Sequence, residues 1–264
     1  MADNIVKKTF TFSQFIIETQ KKLPKNHLEK YRQSSQDRDE EFTGTKSFAE
    51  ATKLLKYGWP EGVKKLKTDL DNIKRATAPA LEPFFDVAGE EPDISRFLSG
   101  DPENMVEYHT VNDEGIKFLD IYICYAYNWT HSTKKVIRRG ATILANIDTL
   151  EANGYRCRLI GYQSACFTKN RRRNGKKTGM QVEVLLKDYD EPLELDRMAF
   201  ALVSPSMYRR MGFKLDELYQ PEMSNECYGH GLKFDVPDGA LEIKRDTFSP
   251  DEINDIFSRH LSTE

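Results

Sequence analysis

Six cations fall within nine positions, at Lys169, Arg171, Arg172, Arg173, Lys176 and Lys177. Like charges at that density repel one another, and a solvated turn has no need of them. Phosphate is the chemistry that rewards the arrangement, because each neutralised phosphate releases a condensed counterion. A second set, Asn128, Thr130 and Ser132, stands in "YNWTHS" at the end of an apolar run. Oxygens at alternate positions can hold a hard cation, but magnesium wants an anionic oxygen and Asn128 supplies a neutral amide. The same residue types also cap exposed amides where a helix starts, which needs no ion. Trp129, between them, is a candidate for stacking on bases, whereas Tyr125 and Tyr127 fit the core of a central strand. The acidic stretch "KDYDEPLELD" offers Asp190 and Asp196 as further ligands, though carboxylates at a helix start also answer the helix dipole. Cys227 and His230 are three apart and lack a third partner at a suitable spacing.

These residues must be placed by local structure. The stretch from Phe118 to Tyr127 is rich in β-branched and aromatic residues and reads as a strand. From Thr133 to Asn153 the period turns helical, with Val136, Gly140, Ile143, Ile147 and Leu150 on one stripe, and Asn153-Gly154 stops the helix. Tyr155 to Cys166 is strand again, so strand, helix and strand form a right-handed βαβ unit with a site at the strands' carboxyl ends. "TKNRRRNGKKTG" is too short for a crossover helix, so the next strand, Met180 to Lys187, returns antiparallel and the basic run becomes a hairpin tip. Lys134, Lys135, Arg138 and Arg139, at the start of the helix, are placed to extend the basic patch.

The flanking regions are less informative. Residues 1–46 read as an aromatic N-terminal segment followed by a polar linker, "RQSSQDRDEE", that cannot bury much. Ser47-Phe-Ala-Glu50 is a capping box that opens a helix, broken at Gly58-Trp59-Pro60 and resumed over 61–76 as a helical hairpin. An extended connector completes 47–104, and 105–264 is the α/β core. Within it a helix is expected over Leu193 to Val203, a helix start at Ser204-Pro205, short strands near Leu232–Phe234 and Ala240–Ile243, and a final helix opened by Ser249-Pro-Asp-Glu252.

The chain has 264 residues, 39% hydrophobic and 31% charged, with a net charge of -3. A normal core is available, but no global field steers polyanions, so any nucleic-acid surface is local. The four cysteines lack CxxC spacing, and Cys124, Cys157 and Cys166 lie in strand-like runs where a thiol behaves as a small core residue. No signal-peptide pattern and no 18-residue apolar stretch occurs, so a soluble cytoplasmic protein without membrane contact is expected. The signatures of hydrolases, nucleotide loops and metalloproteases are missing, so no cofactor is expected.

Two resemblances add to this. The order of strands and helices over about 116–220, with Asn128-Trp-Thr130-His-Ser132 at the first strand's end, resembles the von Willebrand factor A-like Rossmannoid fold. That fold implies a mostly parallel sheet with one antiparallel edge hairpin and, in its metal-binding members, a magnesium site here degenerate. The stretches "SFAEATKLLKYGWPEG", "DISRFLSGDPENM" and "IRRGATILANIDTLEANGYR" are similar to a family found mainly in tailed bacteriophages and their hosts, which implies a viral or prophage setting and no established activity. The expected function is a non-catalytic nucleic-acid-binding accessory protein. The alternatives are a protein-interaction module acting on a phage or host protein and, third, a metal-dependent enzyme.

Overall fold

The computed structural model describes residues 4–24, 33–35, 40–64, 81–89, 91–110, 117–166, 178–219, 228 and 231–262. Strand β1 (Asn4–Thr11) leads through a capping box at Thr11 and Gln14 into helix α1 (Phe12–Thr19). A short helix α2 (Glu40–Thr43) precedes α3 (Phe48–Tyr57), which starts at the expected Ser47 cap and ends at Gly58, whose φ of 84° only glycine adopts freely. Helix α4 opens at Pro60, and residues 60–64 of it are described; the expected continuation to 76 lies outside the described residues. Strand β2 (Leu81–Asp86), β3 (Glu91–Pro92), helix α5 (Ile94–Leu98) and β4 (Met105–Thr110) follow. Then come β5 (Lys117–Cys124), α6 (Thr133–Ala152), β6 (Tyr155–Cys166) and β7 (Thr178–Lys187). Helix α7 (Leu195–Met198) continues as a π-helical stretch, Ala199–Val203, and a second one, Met207–Gly212, runs into α8 (Phe213–Tyr219). Strand β8 (Leu241–Ile243) and helix α9 (Pro250–Ser262) complete the order.

The protein is α/β. Its main sheet has five strands in the order β1-β7-β6-β5-β8, parallel at every pairing except β6 with β7. A separate three-stranded sheet, β2-β4-β3, is antiparallel and replaces the expected extended connector. β5, α6 and β6 form the βαβ unit read from the sequence, and β6 with β7 form the antiparallel hairpin. That hairpin is not at the edge, because β1 pairs parallel along the outer side of β7. Met180, Val182, Val184 and Leu186 of β7 are each at most 1% exposed, as suits a strand inside a sheet. The segment expected to stand ahead of the core therefore supplies a strand of its sheet.

One face of the sheet is covered by helices. Ile121, Ile123, Tyr125, Leu159 and Gln163 point to it, and Gln163 Nε2 donates to the Gly212 carbonyl and to Asp216 Oδ1, tying β6 to the second π-helix and α8. The other face is crossed by residues 231–236. Leu232–Phe234 is not the expected strand: its carbonyls accept from side chains, Ser164 Oγ to Leu232 at 2.7 Å and Gln181 Nε2 to Lys233 at 2.8 Å, while Phe234 stacks on Tyr162 at 4.3 Å. Among the described residues, no helix is long and apolar enough to cross a membrane.

The linker expectation also needs correction. Gln33, Ser34, Thr43 and Thr45 are buried. Their polarity is met by charge from the core: Glu217 accepts from the Gln33 and Ser34 amides, Ser34 Oγ and Tyr228 Oη, while Arg210 donates to the carbonyls of Ser34 and Thr45 and to Thr43 Oγ1. These four polar residues are thus buried beside ionic partners.

Helix α6 meets the first π-helix through Gly140, where an added Cβ would stand 2.7 Å from Val203 Cα and closer still to the Leu202 carbonyl oxygen. Alanine in open helix gains about 1 kcal/mol over glycine. Here Gly140→Ala should instead lose about 1–3 kcal/mol in chemical denaturation, because backbone has to give way. A stabilised variant would contradict this packing.

Candidate functional site

The carboxyl ends of β5, β6 and β8 share one edge of the sheet, because the three strands are parallel. Beyond Cys124 the chain stays buried through Tyr125, Ala126 and Tyr127, with the Tyr125 amide still donating to the Tyr162 carbonyl at 3.0 Å. Tyr127 packs edge-on against Tyr208 and Phe248. Both tyrosines are core residues, unavailable for stacking on a ligand. The chain surfaces at Asn128, whose Oδ1 accepts from the Thr130 amide at 3.1 Å, and enters α6 at Ser132, whose Oγ accepts from the Lys135 amide at 3.4 Å. Asn128 and Ser132 thus act as turn and cap. Among the described residues, no group of three or more His, Cys, Asp or Glu side chains is placed to hold a metal ion.

Two buried guanidinium groups hold this loop in place. Arg209 donates through Nη2 to the carbonyls of His131 (2.6 Å) and Trp129 (3.3 Å), and through Nη1 to that of Phe42 (2.6 Å). Arg139 donates to the carbonyls of Thr247, Cys124 and Lys244, joining the ends of β5 and β8. Among the described residues neither pairs with a carboxylate; aromatic faces lie beside them instead, Phe42 and Tyr127 at Arg209 and Phe248 at Arg139. Arg139 is 3% exposed, so it is a structural clamp and does not extend the basic surface as expected.

What the clamps present to solvent is a compact set. Trp129 is 70% exposed, and Asn128, Thr130, Ser132, Lys134, Lys135 and Arg138 are exposed around it. Lys134 and Arg138 are one helical turn apart and share a face of α6. Lys169, Arg171, Arg172, Arg173, Lys176 and Lys177 lie outside the described residues. The strands that bracket them end at the Cys166–Gly179 pair, and β6 runs parallel to β5, so the chain leaves β6 at the edge that carries Trp129.

His131 reports on the electrostatics here. Its ring stacks on Phe248 with centroids 3.8 Å apart and planes 10° apart. Burial lowers its pKa from the ordinary 6.5; Lys135, Arg209 and Arg139 push it the same way, and Asp246 opposes them. Burial and the neighbouring cations thus act together against its protonation.

Other sequence candidates are not brought to this edge. Asp190 follows β7, which runs against β6 and ends beside Leu159, at the opposite edge. Asp196 sits in the first turn of α7, where its carbonyl accepts from the Trp59 amide. Cys227 and His230 lie outside the described residues. Cys124 and Cys157 are buried, with burial pushing their thiols up to about 11 and about 12, so they are inert at neutral pH. Sequence reasoning missed Arg209 and Glu217. The readable signal was "AFALVSPSMYRRMGF", two arginines within an apolar run, whose burial is costly unless their N–H groups find acceptors.

Nuclear magnetic resonance titration should place the His131 pKa below 6.5, and Lys135→Met should raise it. Between the folded and unfolded pKa values the unfolded chain binds the extra proton, so stability is lost as pH falls through about 6.5. His131→Phe should remove that component of the pH dependence, and an unchanged profile would contradict the assignment.

No curated protein and no solved structure matches the chain. A model for a domain of unknown function matches residues 8–260, from within β1 to within α9, and the chain accordingly belongs to the DUF7192 family.

Proposed function

We propose that the chain is a non-catalytic, nucleic-acid-binding accessory protein that holds a single strand along the carboxyl edge of its sheet. The observation that carries this reading is Trp129, an indole 70% exposed on a loop whose carbonyls are clamped by Arg209 and bordered by Lys134, Lys135 and Arg138. An exposed tryptophan on a mobile loop loses entropy when it stacks; on a clamped loop that cost is already met in folding. An aromatic platform beside cations that track the backbone is the arrangement single strands require. The chain leaves β6 at this edge ahead of the basic run from Lys169 to Lys177, whose cations would add phosphate contacts. With a net charge of -3, binding depends on this local surface. The phage or prophage setting and the cytoplasmic location implied by the sequence suit such a role.

A second reading, a protein-interaction module on a von Willebrand A-like core, is favoured by one observation. Ile94, Phe97 and Leu98 share one face of α5 and are all more than half exposed, and clustered apolar side chains on a surface mark protein contacts.

Binding of a labelled oligothymidylate, followed by anisotropy across a salt series, separates the two. Affinity should fall with salt by about 0.7 log units per log unit for each phosphate contact. Alanine at Lys134, Lys135 and Arg138 together, or at Arg171, Arg172 and Arg173 together, should weaken binding and flatten the slope by roughly two units. Trp129→Ala should cost about 1–3 kcal/mol while leaving the slope unchanged. Absence of binding at low salt, or variants indistinguishable from the parent, would leave the interaction module as the better reading.

A further inference from the structure

A cleft of about 820 Å³ opens between α1, α3, α4 and the segment leading into α7. Its walls are apolar, with Phe12, Ile16, Leu55, Val63 and Leu193, and the volume falls in the range of small-molecule sites. Arg197 also lines it. This guanidinium lies over the Phe12 ring, 4.3 Å from its centroid, and its Nε is shut away from solvent without an acceptor. The contrast with Arg139 and Arg209 is the informative point, since each of those donates to three backbone carbonyls. Among the described residues, Arg197 has no carboxylate or carbonyl partner, so the guanidinium is available to a ligand at the cleft wall. A charged group in that position gains most from an anionic partner.

We propose that this cleft binds an amphipathic small-molecule carboxylate, with its apolar chain against Phe12, Ile16, Leu55 and Leu193 and its carboxylate on Arg197. The rim selects the head group. Lys56 adds one exposed cation, whereas Glu194 and Asp196 add two exposed carboxylates. These are screened by solvent and do not neutralise Arg197, but they disfavour a doubly charged phosphate relative to a single negative charge. The site is separate from the Trp129 edge and does not depend on nucleic-acid binding.

Titration calorimetry of the full chain with decanoate and with decanol tests the assignment. Decanoate should bind at least roughly tenfold more tightly than decanol, because a hydrogen bond to a charged group is worth a factor of that order. Arg197→Gln should bring decanoate down to the level of decanol. Ser13→Trp, at an exposed position of α1 on the cleft wall, should block both ligands. If Arg197→Gln fails to fold, the ratio of the two ligands and the Ser13→Trp result still decide. No binding of decanoate at about 1 mM, a concentration that detects even weak sites, would overturn the proposal. Equal affinity for the two ligands, or binding untouched by Ser13→Trp, would overturn it as well.

Discussion

Buried guanidinium groups donating to backbone carbonyls tie the loops of this protein to one another and to the ends of its helices and strands. Backbone polar groups removed from water must find partners, and helices and strands usually provide them internally. Here three side chains supply donors to carbonyls in and beside the described chain at 33–34, 42–45, 124–131 and 244–247. Arg210 takes carbonyls of the first two, Arg139 reaches the last two through Cys124, Lys244 and Thr247, and Arg209 joins the second to the third through Phe42, Trp129 and His131. Each guanidinium has five N–H groups in a rigid fork, so one side chain can fix several carbonyls at once. Its removal would take a donor from several carbonyls at once.

The same constraint shapes the surface. Arg139 and Arg209 carry their charge beneath the loop without a carboxylate among the described residues to cancel it, and they add to burial and Lys135 in lowering the pKa of His131. Trp129 is held outward by its own carbonyl, since Arg209 fixes the backbone and leaves the indole free. Fold and candidate interface are therefore joined at the atomic level: the residues that close the core are those that orient the loop.

Much of the central unit was legible from local pattern. The helical stripe of α6, its Ser132 cap and its Asn153-Gly154 stop depend on neighbours in sequence, and the β5, β6 and β7 runs are apolar enough to declare themselves. What escaped depends on distant partners. β1 pairs with a strand more than 160 residues away, and nothing in "NIVKKTFT" names that partner. The "RQSSQDRDEE" stretch looked like a linker because its composition cannot bury itself, while Glu217 and Arg210 bury part of it from the far end of the chain. Residues 232–234 have the alternation of a strand but spend their carbonyls on side chains. At the candidate site, the exposure of Trp129 and the burial of Tyr125 and Tyr127 followed from the strand's alternation and its end; the reversal of Arg139 from ligand to clamp did not, since Arg138 and Arg139 are indistinguishable by type.

The most direct measurement is the emission of Trp129 in a Trp59→Phe background, where it is the remaining tryptophan, as oligothymidylate is added at low salt. Stacking of bases on the indole predicts saturable quenching that is reversed by raising the salt concentration. Emission unchanged at oligonucleotide concentrations that bind the protein by anisotropy would contradict the claim that this edge receives the strand.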